Sequence, residues 1–324
     1  MKTNYLEHDV QSETEGFEKL HIRKVGVRKI KLPLTIPARE KQYTKNFNTI
    51  AHVSAYCDLD KDKKGINMSR NSRVLLRELQ NKVVYLDDFE EAVKELSIAH
   101  ETNNIYLKVW FEYLYLYKSP ITEIPSQEPA IVVFEIQYRE GKIRKYLQVI
   151  SNESSCCPCS KDMSMLKNNL NQNELSTLAD KLPLDLYSKV IKAGYGAHNQ
   201  RSEIDIKVEL DKEQEFGTMW IEDIVDIAKK ASSSETFNVL KREDEKYVTE
   251  CQYMGGYYDE HGKFNHVEMS GPKFVEDIAR DCAKLLYKEL DKRIKDFIVV
   301  VNNDESIHST LLATAIIDAN RELK

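Results

Sequence analysis

The sequence predicts an α+β protein built on antiparallel sheets. Three observations predict it. Some segments alternate apolar and polar residues with a period of two. Others repeat their apolar residues three and four apart. The order strand–strand–helix–helix–strand–strand occurs roughly twice. The two halves share no sequence identity, so the repeat is one of architecture.

Residues 1–21 are polar and acidic and read as a loose arm. Residues 25–34 alternate through Val25, Val27, Ile30, Leu32 and Leu34, as a half-buried strand does, and 50–57 form a second, less regular one. Two helices follow. Residues 72–80 carry Val74, Leu75 and Leu79, and 87–100 carry Phe89, Ala92, Val93 and Leu96 behind an acidic first turn that suits the helix dipole. Strands are expected at 104–118 and 130–138, then a turn at Glu140-Gly141 into a strand over 143–150. The second round has a cysteine loop, an insert of short helices over 165–193 closed by Gly194, a strand at 203–210, helices at 221–231 and 273–296, and strands at 297–301 and 311–317. The charged run 240–250 reads as a solvated face, from which Glu250 could turn inward after Tyr247 and Val248.

A chain of 324 residues suits two ordinary domains. Its 47 Lys+Arg against 53 Asp+Glu give a net charge of −6, which argues against a broad nucleic-acid footprint. The longest apolar runs, such as Phe297-Ile298-Val299-Val300-Val301, are far shorter than the ~20 residues of a membrane helix. The first nine residues lack the apolar stretch of a signal peptide, so a cytoplasmic location is expected. Six cysteines in a chain this long do not suggest a disulfide framework.

Five polar constellations could carry chemistry. Cys156-Cys157-Pro158-Cys159-Ser160-Lys161 crowds three thiols into four residues, open to metal or thiol chemistry or to plain burial. His198-Asn199-Gln200-Arg201 puts an imidazole and a guanidinium just ahead of a strand. The others are Glu235 with the 240–250 run, Glu305-Ser306-Ile307-His308 between the last two strands, and Asn67-Met68-Ser69-Arg70. The cysteine run also reads as ordinary buried thiols, the 240–250 run as a solvated face, and the other three as polar loops.

In this order the set resembles the type IB GTP cyclohydrolases, from about Val25 onward. The resemblance rests on Cys157-Pro158-Cys159-Ser160-Lys161, His198-Asn199-Gln200-Arg201-Ser202, Glu235, Leu240-Lys241-Arg242, Asp244 through Glu250, Lys273-Phe274-Val275-Glu276-Asp277 and Glu305-Ser306-Ile307-His308. It implies tandem T-fold modules over 22–140 and 141–324, each a four-stranded antiparallel sheet backed by two helices. It also implies a homodimer or homotetramer with active sites near subunit interfaces.

The resemblance implies that Cys157, His198 and Glu235 bind a divalent metal, Zn, Fe(II) or Mn(II), and leave a position open for water. Hydrolysis at C8 of GTP would then open the ring, release formate and lead to dihydroneopterin triphosphate or a related cyclic phosphate. Glu250 would hold the purine edge, because guanine offers adjacent N1–H and amino donors to two carboxylate oxygens. Arg70, Lys161 and Arg201 would meet the triphosphate, and Glu305 and His308 would move protons. This chain departs from the family pattern in three ways: Asn67 stands where the family has His, Ser309-Thr310 stands where a second His is usual, and there are inserts near 165–193 and 253–270. Those departures also fit a branch that stops at a ring-opened pyrimidine. A metal-free, NADPH-dependent nitrile reductase and a non-catalytic purine-binding protein are the other readings.

Overall fold

A computed structural model describes residues 20–39, 46–194, 196–211, 217–290 and 292–319. The arm expected over 1–21 lies outside them except for Leu20 and His21. The strands are β1 (Ile22–Pro37), β2 (Asn46–Leu59), β3 (Asn104–Lys118), β4 (Pro125–Arg139), β5 (Lys142–Cys156), β6 (Asn199–Leu210), β7 (Gly256–Tyr258), β8 (Phe264–His266), β9 (Ile294–Asp304) and β10 (Leu312–Asp318). The helices are α1 (Ser69–Leu79), α2 (Phe89–His100), α3 (Pro158–Ser164), α4 (Gln172–Lys181), α5 (Leu184–Lys192), α6 (Ile221–Ala231), α7 (Arg242–Met254) and α8 (Val275–Tyr287).

Eight strands make one antiparallel sheet in the order β1-β2-β3-β4-β5-β6-β9-β10, and β7 and β8 form a separate small hairpin. The sheet is a mixed α/β fold's main layer, and helices cover one of its faces. Ala51, Val53, Ala55 and Cys57 of β2 turn toward them and are buried, while the alternate Ile50, His52, Ser54 and Tyr56 face the other way. α2 meets the sheet through Phe89, Ala92, Val93 and Leu96, and α6 and α8 through Ile221, Ile224, Val225, Ile278, Cys282 and Leu286. These side chains form one core that runs through both halves of the chain. The uncovered face keeps Ile50, Trp110, Ile131, Ile298 and Ile316 exposed. Trp110 stacks on His52 there, with ring centroids 4.2 Å apart.

The expected strand and helix order is observed, with three differences. Residues 242–254, for which no helix was expected, form α7, and the charged run there is mostly exposed, as expected, apart from the buried Asp244. The helix expected over 273–296 stops at Tyr287, and β9 begins at Ile294. The insert after Tyr253 contains the β7–β8 hairpin.

Candidate active site

β5 ends at Cys156, which pairs with Asn199 at the start of β6. The next residue, Cys157, is the N-cap of α3, and Pro158 takes the first helical position, where its missing N–H costs nothing. The Cys157 amide donates to the carbonyl of His198 (3.1 Å), and its Sγ accepts from the Ser160 amide (3.4 Å). The residues that carry a thiol and an imidazole thus adjoin through their backbones at the shared end of two central strands, and both are partly exposed.

The third group arrives from the sheet's other side. β6 pairs with β9, with Arg201 opposite Asp304, so Glu305 follows next to Gln200. His198 Nδ1 lies 3.0 Å from Gln200 Oε1, and Gln200 Nε2 donates to Glu305 Oε1 at 3.2 Å. Glu305 therefore reaches His198 through an intervening amide. His308 is exposed, and its amide donates to the Glu305 carbonyl. Arg201 is exposed beside them.

α7 closes this end of the sheet. Gln252 donates to Ser154 Oγ and to the Ser155 carbonyl (both 3.3 Å) and accepts from Asn199 Nδ2 at 3.5 Å. Lys161 of α3 donates to the Tyr253 carbonyl, and burial pushes its pKa down. On the same helix, Glu250 Oε2 accepts from Lys246 Nζ (2.9 Å) and from the Tyr258 amide of β7 (3.0 Å).

Glu235 is differently placed. The segment 232–236 runs antiparallel to the end of β5: Ser233 Oγ accepts from the Cys156 amide (3.1 Å), Ser234 bridges Ser154, and the Thr236 amide donates to Glu153 at 3.1 Å. The segment therefore leaves Cys156 behind as it reaches Glu235. Glu235 lines a cavity of about 630 Å³ with Lys229, Ser234, Tyr247, Cys251 and Leu285, and neither Cys157 nor His198 lines it. Its side chain is exposed to solvent but closely surrounded there. That crowding raises its pKa, with Lys229 opposing and Asp226 reinforcing. Among the described residues, no three His, Cys, Asp or Glu side chains converge as a metal site within this one chain.

Beneath this cavity lies a buried ion cluster. Lys229 Nζ is 2.9 Å from Glu128 and 3.8 Å from the fully buried Glu153, and sits over the Tyr117 ring. Burial pushes Glu153 up to about 8, with Lys229 opposing.

Arg70 lies at the opposite end of the sheet. β5 starts there, with Lys142 beside Arg139, and ends at Cys156. Arg70 Nη1 donates to the Ala99 carbonyl (2.6 Å) and lines a polar pocket of about 470 Å³ with Asn67, His100, Thr102 and Asn104. The structure thus gathers Cys157, His198, Glu305, Lys161 and Arg201 near one strand end, with α7 alongside, and leaves Arg70 at the other. Sequence reasoning assigned no role to Gln200 or Gln252, the two amides that tie this end together. Gln200 sits inside the quoted His198-Asn199-Gln200-Arg201 motif, so a signal for it was present.

Comparison with known proteins defines the class first: this is an enzyme of the GTP cyclohydrolase kind. The model of the family described as type I GTP cyclohydrolase FolE2 matches residues 8–311. GTP cyclohydrolase FolE2 of Thermotoga maritima is 32% identical over 301 residues, which is 93% of each chain. That of Nitrosococcus oceani is 28% identical over 301 residues, 93% of this chain and 91% of its own. The chain belongs to the FolE2 family of GTP cyclohydrolases. Its backbone also aligns with a uricase from Arthrobacter globiformis over 91% of this chain and 92% of that one, with a TM-score of 0.48 and 5% identity, too loose a likeness to bear on function.

Proposed function

We propose that this protein is a type IB GTP cyclohydrolase that hydrolyses GTP at C8 of guanine, opens the imidazole ring and releases formate on the way to dihydroneopterin triphosphate or a related pterin. One observation carries the reading to these residues. Cys157 and His198, joined through their backbones, and Glu305, joined to the His198 ring through Gln200, come from three separate stretches of sequence to one strand end. We place the activity in the cytoplasm.

The Cys157 thiol and His198 ring suit a divalent ion, Zn, Fe(II) or Mn(II), with Glu235 as the proposed third ligand. Such an ion would supply an activated water at neutral pH. The chain's own groups do the rest. Glu250 accepts the N1–H and amino donors of guanine, Lys161 and Arg201 attract the triphosphate, and Glu305 and His308 pass protons. Metal content of C157S, H198A and E235A measured by mass analysis tests each ligand separately.

The round β1-β2-α1-α2-β3-β4, followed by a second in which β5 and β6 precede α6, α7 and α8 and then β9 and β10, suggests tandem T-fold modules over 22–140 and 141–324. The edge strands β1 and β10 and the uncovered sheet face suit a homodimer or homotetramer. Arg70 would then serve the active site of a neighbouring subunit. Mixing inactive R70A with inactive C157S and allowing subunit exchange should restore about a quarter of the wild-type rate in a dimer, since half the dimers are mixed and each has one intact site. No recovery would remove Arg70 from the shared site.

The decisive assay is GTP turnover by anaerobically purified protein with Mn(II), Fe(II) or Zn(II) added in turn, following formate and pterin fluorescence together. Both signals are expected. Asn67 lines the pocket beside Arg70, and an amide cannot carry a proton as His can. That favours, as a second reading, a reaction ending at a ring-opened pyrimidine, which would give formate alone. Neither product from metal-loaded protein would overturn the GTP reading.

A further inference from the structure

We propose that Gln200 is a positioning residue that fixes the His198 ring in the tautomer protonated at Nδ1, leaving the Nε2 lone pair free to face a metal or a proton. The proposal rests on the reading of His198 as a working group of the site, and on a chain of three side chains.

The donor and acceptor roles run in one direction only. An ionised Glu305 carboxylate can accept hydrogen bonds but cannot donate them. The end of the Gln200 amide that meets Glu305 Oε1 at 3.2 Å must therefore be its NH₂. That turns the amide oxygen toward His198, 3.0 Å from Nδ1. An oxygen there needs a proton on Nδ1, so the neutral ring carries its lone pair on Nε2. The tautomer is set by a carboxylate that never touches the ring. The same logic governs histidines whose second nitrogen is oriented by an outer partner.

The backbone that carries the amide is held in place, which leaves its orientation to Glu305. Gln200 is 9% exposed. Its backbone is paired on one side with Ser155 of β5, and the next residue, Arg201, is in register with Asp304 of β9. Just beyond, Ser202 Oγ donates to Asn303 Oδ1 at 2.6 Å, which pins β6 to β9 beside the Gln200–Glu305 contact. His198 is anchored by its carbonyl, which accepts from the Cys157 amide.

The test uses the full-length, metal-free protein with selectively ¹⁵N-labelled histidine, the His198 signal being assigned with H198A. The wild type should show a protonated Nδ1 and an unprotonated Nε2. Q200L removes the oxygen, so the ring should shift toward the Nε2–H form, and zinc chloride titrated into the protein should bind roughly tenfold more weakly or worse. The swap Q200E/E305Q rebuilds the pattern in reverse, since residue 305 then donates and residue 200 accepts from both sides. It should restore the Nδ1–H tautomer and the zinc affinity.

If Q200L does not fold, the swap and E305A carry the test. E305A frees the amide to flip and should weaken the tautomer preference, and the swap should keep it. An unchanged tautomer in Q200L or E305A, or a swap that restores neither signal, overturns the proposal. If H198A binds zinc as the wild type does, the reading of His198 as a ligand fails, while the ring spectrum still judges Gln200 separately.

Discussion

Asp244 offers the sharpest test of how α7 is held. Its carboxylate is fully buried and accepts four hydrogen bonds. Oδ1 accepts from the amides of Ile121 and Thr122, both at 2.9 Å, and Oδ2 from Thr122 Oγ1 at 2.6 Å and the Lys241 amide at 3.0 Å. The first three donors lie in the turn between β3 and β4, more than a hundred residues away in sequence, so this one side chain both caps α7 and ties it to the sheet. In D244N one oxygen becomes an NH₂ that faces another N–H. With the NH₂ at the Oδ2 place the Thr122 hydroxyl can turn to accept, so at least one bond, that from the Lys241 amide, is lost at about 1.5–3 kcal/mol, and the other three lose their charge assistance at about 0.5–1 kcal/mol each. A net loss of about 3–5 kcal/mol is expected from urea unfolding at fixed protein concentration, with an unchanged m value. A loss below about 1 kcal/mol would refute the reasoning. The acid limb gives an independent check. Burial alone would raise the Asp244 pKa, but the bonds from Thr122, Lys241 and Ile121 outweigh it and hold the carboxyl well below the usual range. Its contribution is therefore fully present above the unfolded value of about 4 and fades as pH falls toward the folded value. Wild-type stability should drop more steeply than that of D244N on acidification below about pH 4.

The buried Lys229 cluster predicts the opposite slope. Glu153 is raised to about 8 against an unfolded value near 4.3, so stability should fall as pH rises between those values, and E153Q should flatten that fall in thermal unfolding. K229M leaves Glu128, the closer partner at 2.9 Å, without its cation and should cost about 3–5 kcal/mol at neutral pH, with a cost below about 1 kcal/mol counting against the pairing. Gly26 faces the β2 backbone so closely that an added Cβ would lie 2.0 Å from the Ala55 carbonyl oxygen. G26A should therefore loosen β1, seen as faster hydrogen exchange of its amides and a stability loss of about 1–3 kcal/mol.

How much of this was legible in the sequence depended on what holds each element. The sheet and helices α2, α6 and α8 are held by apolar side chains at regular spacing, and they read directly. α7 did not. Its buried residues are Asp244, Cys251 and Gln252, so it carries no apolar stripe. It is set instead by the Asp244 cap and by Gly255, whose positive φ of 72° closes its end. Helix α8 was read too long because Leu290 continues its apolar spacing, yet that residue bridges Ile294 in a turn. In the candidate site, Cys157 and His198 could be named from motifs, but motif order carries no register. The antiparallel run of 232–236 against β5, which separates Glu235 from the thiol, became visible only in three dimensions.

The segments 165–193 and 253–270 bear on the site more directly than their place in the sequence suggests. The first leaves the chain just after the helix that Cys157 caps and returns just before His198, its base closed by the Leu166 amide bonded to the Ala193 carbonyl (2.7 Å) and by a Met165–Gly194 bridge. Its helices α4 and α5 bury no side chain completely among the described residues, so they add little to the core. The second supplies Tyr258, whose amide holds Glu250. The two touch where Lys189 of α5 lies over the Tyr258 ring, 5.7 Å from its centroid. One chain of contacts therefore runs from the Cys157–His198 strand ends, through both insertions, to the carboxylate proposed to grip guanine. Insertions are best tolerated at loops, where they disturb no core packing. Placed here, α4 and α5 add no buried residue, and Tyr258 borders Glu250, the carboxylate proposed above to hold guanine.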